Sequence, residues 1–239
     1  MQKSFRLFSF EHIIATLLTL FTIALSIKLL EEYNPKRLKK SFDKILAVLI
    51  VFQNLSWRIL FIISGEFHIE KDLPFHVCSV TQFLLAYHLL KNNQTIFNIC
   101  YYWVIAGSTF AIIIPDLELG FPSVKYFEMF ISHGISIFTI FYLILIQKQY
   151  PTKGSWKTAF AALMILAIVD SVVNYFTNGN YLFLRRPPDV NFGPISLLPA
   201  WPWYLLVLAI FFMFVYWLSY QPYAYHERKI SSEEVKNHN

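Results

Sequence analysis

Apolar residues in this chain gather into seven runs of 17 to 24 residues, at 11–30, 45–64, 74–90, 95–115, 124–147, 158–177 and 201–220, separated by short polar stretches. A helix needs about 20 apolar residues to cross a bilayer, and a run this long without strict alternation is not a barrel strand. The pattern predicts an all-α, polytopic transmembrane helical bundle of seven spans. One bundle, 1–222, is expected with a polar tail, 223–239, that is disordered. The first run ends in Lys and Glu rather than at a small-residue cleavage site, so it is expected to remain as a span.

Punctuation sets the ends of the runs. Pro74 suits the first turn of the third helix, because the N–H it lacks is unpaired there anyway. Pro115-Asp116 closes the fourth run. Trp201, Trp203 and Tyr204 at one end of the seventh, and Tyr216, Trp217 and Tyr220 at the other, fit interfacial belts. The stretch 178–200 is long for a connection and apolar enough to lie back on the bundle.

Composition agrees. The chain of 239 residues is 56% hydrophobic and 15% charged with mean hydropathy +0.47, and soluble domains carry about 25% charge. Placement of the positive charge says more than its sum. One side collects Lys28, Lys36, Arg37, Lys39, Lys40, Lys44, Lys91, Lys148, Lys153, Lys157, Arg228, Lys229 and Lys236; the other holds Lys3, Arg6, Lys71, Lys125, Arg185 and Arg186. The basic side is cytoplasmic by the positive-inside rule, so the N-terminus is placed outside and the C-terminus in the cytoplasm of a cell-membrane protein. No basic pattern for nucleic acid is present, and no cofactor motif. The last run has neither the lysine of a retinal protein nor the histidine pair of the seven-span zinc hydrolases.

The candidate chemistry lies in the outer halves of five runs. Arg58 and Asp170 are ionisable groups inside spans, which are costly unless they face protein or a wet cavity. Asn54 shares a helical face with Arg58, and Asn174 with Asp170. Arg58 and Asp170 read either as a structural clamp between two helices or as a site in which Arg58 binds phosphate or an oxyanion. Cys78 opens the third run, where the positive end of a helix dipole favours thiolate, with Gln82 one turn along the same face. Cys100 has no ionisable neighbour on its run and reads as packing. His133, about 13 Å below the outer mouth at 1.5 Å per residue, is the better base, since His76 points to a different face from Cys78. His133 reads equally as an interhelical hydrogen-bond donor. Asp116 sits at the outer end of the fourth run. His68, His88 and His226 read as loop or edge residues. No paired spacing of metal ligands occurs, so no metal is assigned. Arg185 and Arg186 are placed for lipid phosphate, or simply snorkel.

Leu73-Pro74-Phe75-His76-Val77-Cys78-Ser79, Pro115-Asp116, Ile131-Ser132-His133-Gly134, Asn180-Tyr181-Leu182 with the later paired prolines, and Pro199-Ala200-Trp201-Pro202-Trp203-Tyr204 together resemble the YwaF-like integral membrane family of low-GC Gram-positive bacteria. That family is similar to a vertebrate multispan TMEM protein reported as a phospholipid acyltransferase working through a cysteine. The resemblance implies Cys78 as the matching thiol and His133 as general base, with membrane lipids as partners. Phe75 replaces the usual Leu, and Arg185-Arg186 sits where a more varied polar stretch is usual. On this reading the chain is a Cys/His-dependent (lyso)phospholipid acyltransferase at the outer leaflet. Arg58, Asn54 or Gln82 would steady an oxyanion or head group, Asp170 would orient Arg58 or His133, and His76 and Asp116 would line the mouth. The rivals are a small-solute or ion transporter with a path lined by Arg58 and Asp170, and a non-catalytic membrane assembly factor.

Overall fold

The computed structural model describes residues 4–33, 39–190 and 192–237, with side chains through residue 225. Lys3, Lys36 and Arg37 of the charge count, and the side chains of His226, Arg228, Lys229 and Lys236, lie outside that description. The described residues form seven principal helices and no strand, with an isolated bridge between Ser4 and Leu119. They are α1 (Phe10–Tyr33), α2 (Lys39–Ile63), α3 (Val77–Lys91), α4 (Gln94–Ile113), α5 (Val124–Ile146), α6 (Ser155–Thr177) and α7 (Trp203–Asn237). A 3-10 turn (Tyr181–Phe183) and a one-turn helix (Gly193–Ser196) lie between α6 and α7.

Six of these helices are long and apolar enough to cross a membrane. The third apolar run is different. Its helix has only 15 residues, about 22 Å at 1.5 Å per residue, against a hydrocarbon core of about 30 Å. Pro74 is not in its first turn. The helix starts at Val77, with His76 at the N-cap position, and Leu73 to Phe75 form a turn before it. At the other end of the chain the backbone stays helical through Pro222 to Asn237, past the end of the apolar run.

Burial sorts the helices into layers. In α4 and α5, 61% and 67% of the apolar stretch is buried, against 6% in α1 and 17% in α7. The apolar faces of α1 and α7, such as Leu17, Phe21, Ile210 and Phe214, are turned outward, as lipid-facing positions are. The core therefore sits on α4 and α5, with α3 packed against α2, α4 and α5. Both central helices contain a π turn: Val104–Ser108 inside α4 and Tyr142–Ile146 ending α5.

Local chemistry explains the joints. Asn92 takes the left-handed conformation (φ 50°) that ends α3, and the Asn93 side chain then caps α4 by accepting from Ile96 N at 3.0 Å. Ser123 caps α5 in the same way through Tyr126 N at 3.2 Å. Polar bonds order the neighbours: Tyr102 Oη to Ser155 Oγ (3.0 Å) and Trp103 Nε1 to Ala159 O (3.1 Å) run α6 parallel to α4. His12 Nε2 meets Ile112 O at 3.0 Å, tying α1 to the end of α4.

The connection after α6 does lie back on the bundle. Asn174 donates to Tyr181 O (3.0 Å) and accepts from Tyr181 N (2.6 Å). The Tyr181 hydroxyl then donates to Ile69 O (2.5 Å) and accepts from Leu73 N (3.0 Å), pinning the loop that precedes α3. Gly179 is required here, because a Cβ would stand 2.7 Å from Glu70 O.

Candidate functional site

The amino end of α3 is the focus. No side chain caps it, and among the described residues no hydrogen bond occupies the amides of Val77 and Cys78; Ser79 N and Val80 N are the first to bond, to His76 O at 2.9 and 3.1 Å. An uncapped helix N-terminus presents donors and partial positive charge to an anion. Cys78 is in this first turn. A methyl group on Gly107, in the π turn of α4, would stand 3.8 Å from its Sγ, and Ser108 and Tyr216 are further neighbours.

Arg58 reaches the same turn from α2. Its Nη1 donates to Asn54 O (2.5 Å) and its Nη2 to Ser79 Oγ (2.7 Å), while Nε has no partner. A guanidinium has five N–H donors, so this one is held in place with donors to spare. Two carboxylates act on it, Glu128 of α5 and Asp72 of the preceding loop. Asp72 is already engaged: Lys125 Nζ lies 3.0 Å from Oδ1 and 3.2 Å from Oδ2, and His68 N donates to Oδ2 at 2.8 Å.

His76 turns inward, against Tyr181 (ring centroids 4.9 Å apart) and Phe183 (6.1 Å). Burial first, with Arg58 and His133 adding to it, pushes its pKa down to about 4, so it is a neutral imidazole at neutral pH. His133 Nδ1 meets Met129 O at 2.7 Å, which holds the proton on Nδ1 and leaves Nε2 as the basic nitrogen with no hydrogen bond among the described residues.

Among the described residues no hydrogen bond joins the Cys78 thiol to the His133 imidazole, and His76, Cys78 and Glu128 are each half-buried.

Several expectations are corrected. Arg58 and Asp170 form no clamp: both Asp170 oxygens are buried without a partner, so it orients neither Arg58 nor His133. Asn174 serves Tyr181. Asn54 and Gln82 are not free to hold an oxyanion. Gln82 Oε1 accepts from Gln53 Nε2 (2.7 Å) and Asn54 Nδ2 (2.6 Å), and Gln82 Nε2 donates to Ser132 O (2.8 Å), which makes it the hub joining α2, α3 and α5. Asp116 is exposed beside Asp189. His88 is no edge residue; it is 1% exposed and bonded to Asn93 O and Gln149 Oε1. Arg185 is used within its loop, donating to Asn178 Oδ1 at 2.7 Å. Among the described residues, no three His, Cys, Asp or Glu side chains converge to hold a metal ion.

Sequence reasoning missed Glu128, Asp72, Ser79 and Tyr181. The signal for Glu128 was available: a carboxylate four residues inside an apolar run is as costly as Arg58, and it shares a helical face with Ser132.

The comparisons agree with a membrane protein. The family model described as the TMEM164 family matches residues 7–220. An uncharacterized protein of Treponema pallidum (strain Nichols) is 23% identical over 119 residues, a match that covers 50% of this chain and 50% of that protein. The chain thus spans about half the length of that relative. No solved structure matches.

Proposed function

Taking as premise that this chain belongs to the TMEM164 family, we propose that it is a lipid acyltransferase that works through a Cys78 thioester. The observation that carries the reading is the amino end of α3: a thiol and two amides without a hydrogen bond share the first turn that Arg58, a guanidinium with spare donors, reaches through Ser79. The resemblance to a YwaF-like family and to a phospholipid acyltransferase belongs to the same proposal.

The chemistry follows from the donors and acceptors. His133 Nε2, or a water it holds, takes the thiol proton. Cys78 sulfur attacks the acyl ester carbonyl, and the C–O bond breaks as the departing alkoxide recovers that proton. A lysolipid hydroxyl or amine then attacks the thioester, gives its proton to His133, and releases the thiol after the proton returns to sulfur. The Val77 and Cys78 amides and the Arg58 guanidinium suit the oxyanion or the head-group phosphate. Arg186 would meet a lipid phosphate at the rim.

The proposal includes seven membrane segments with the short α3 among them, the N-terminus outside, and the amino end of α3 at the outer leaflet of the cell membrane. The test is acyl transfer in proteoliposomes by Cys78→Ser and Cys78→Ala, with thiol labelling by an acyl probe at Cys78 against the fully buried Cys100. Full transfer by both variants ends the idea. The unpartnered Asp170 favours a second reading, a proton or solute path, in which flux depends on Arg58 and Asp170 and is indifferent to Cys78.

A further inference from the structure

At the opposite end of α3 from Cys78 the bundle has a cleft of about 370 Å3. It is lined by the start of α2 (Lys39, Lys40, Asp43), the end of α3 (His88, Leu90, Asn92) and Gln147 after α5, with Leu89 and Leu143 as its apolar part. Its floor is fixed. Asp43 Oδ1 accepts from Tyr142 Oη and Gln147 Nε2, both at 2.7 Å, and His88 is held on both ring nitrogens, at 2.9 and 2.8 Å. Gln149 Nε2 donates to Asn92 Oδ1 at 2.9 Å, which braces the far wall.

The walls carry charge that the protein does not use. Among the described residues neither Lys39 nor Lys40 has a carboxylate in ion-pair contact; the pairs present are His68–Glu70, Lys71–Glu118 and Lys125–Asp72. Two ammonium groups against the single carboxylate of Asp43 leave the cleft one positive charge in excess, the complement of one phosphodiester. The mouth is not purely polar. Leu90 lines it and is 55% exposed, on a bundle whose neighbouring faces are apolar. A free anion gains nothing from that side chain, whereas a lipid places acyl carbons there.

We infer that this cleft is a binding site for the phosphate of an acidic membrane phospholipid, with Lys39 and Lys40 as counter-charges and Leu90 against the start of an acyl chain. The inference does not depend on the acyltransferase reading. It differs from general attraction of basic residues to an anionic surface, because it needs the two lysines that line the cleft and not others equally near the interface.

The experiment uses the full chain in detergent micelles, titrated with phosphatidylglycerol and read as bound lipid by native mass spectrometry. The double variant Lys39→Gln, Lys40→Gln is compared with Lys28→Gln, Lys44→Gln, which removes the same charge outside the cleft. The expected result is at least about tenfold weaker binding in the first and less than about twofold change in the second, since two charge-assisted bonds are lost. Leu90→Glu, at an exposed position, is expected to weaken binding as well. Equal losses in the two double variants overturn the site in favour of bulk attraction. Equally tight phosphatidylcholine binding overturns its charge selectivity. Displacement of the lipid by equimolar inorganic phosphate or glycerol phosphate overturns the lipid as its source.

Discussion

Replacing Gln82 with Leu separates a structural hub from an oxyanion donor. The substitution conserves volume and removes three short interhelical bonds, those with Gln53, Asn54 and Ser132, and a long one to Ser136 Oγ at 3.4 Å. Such bonds in membrane bundles are worth about 0.6 kcal/mol on average and up to about 1.7. Their partners fare differently. Gln53 Nε2 keeps Ile50 O at 3.2 Å, and Ser132 O keeps the Ser136 hydroxyl at 3.0 Å. Asn54 Nδ2 is stranded, in a residue 2% exposed whose Oδ1 is already unpaired. A stranded buried donor costs about 1–3 kcal/mol, so with the three short bonds at their average the total is about 3–5 kcal/mol. Adding Asn54→Leu to Gln82→Leu removes the stranded group, so the pair should be less destabilised than the two singles together by about 1 kcal/mol or more. Denaturation in micelles, with the four-member cycle, measures both quantities. An unchanged midpoint for Gln82→Leu, or additive singles, refutes the hub; a loss of transfer at unchanged stability would restore the oxyanion role.

Three further outcomes are expected. Tyr181→Phe removes the hydroxyl that holds Ile69 O and Leu73 N, so amide exchange across 64–76 should accelerate, by roughly tenfold for about 1.4 kcal/mol of loosening, with little change in α4 and α5; uniform protection would contradict it. His76 is neutral in the fold with its pKa lowered to about 4, while the unfolded chain protonates it near 6.5; stability is therefore full above about 6.5 and falls as pH drops toward 4, by at most ~3 kcal/mol, and His76→Gln should flatten that slope in melts across pH 4–7. Asp170→Leu removes a fully buried carboxylate with no partner and should raise the melting point, by about 1–3 kcal/mol of added stability; destabilisation would reveal a partner the fold supplies in the membrane.

What could be read in advance follows from periodicity and cost. Seven apolar runs became seven helices, because run length and turn residues such as Asn92-Asn93 and Ser123 act locally. The third run misled by three residues, since Pro74 is as compatible with a turn as with a helix start. That shift decides which amides are left unbonded at the helix start. Arg58 was legible as a buried charge with a task, but its partner was not. The pairing with Asp170 assumed that two costly groups at similar depth must meet, and depth says nothing about angle around the bundle axis. Arg58 meets Ser79 of α3 instead. Gln82 looked like a free donor on the thiol's face because its partners, the Gln53 and Asn54 donors of α2 and the Ser132 carbonyl of α5, belong to other helices. Tyr181 was invisible as a clamp because its anchor points are backbone atoms more than a hundred residues away in sequence.

The π turn of α4 sets a different kind of constraint. Between Val104 and Ser108 the helix holds one residue more than an α turn would, and that turn carries Gly107 and Ser108 past the Cys78 thiol. Deleting a single residue there would relax the turn to ordinary α geometry and leave the helix on either side nearly in register, because the π turn fits one more residue into the same rotation. Trp103 would keep its bond to Ala159 and the Ile112 carbonyl its place by His12, while the segment that carries Gly107 and Ser108 past the thiol would be lost. Composition would hardly change and hydropathy not at all. In this stretch it is the number of residues, more than their kind, that inheritance must preserve.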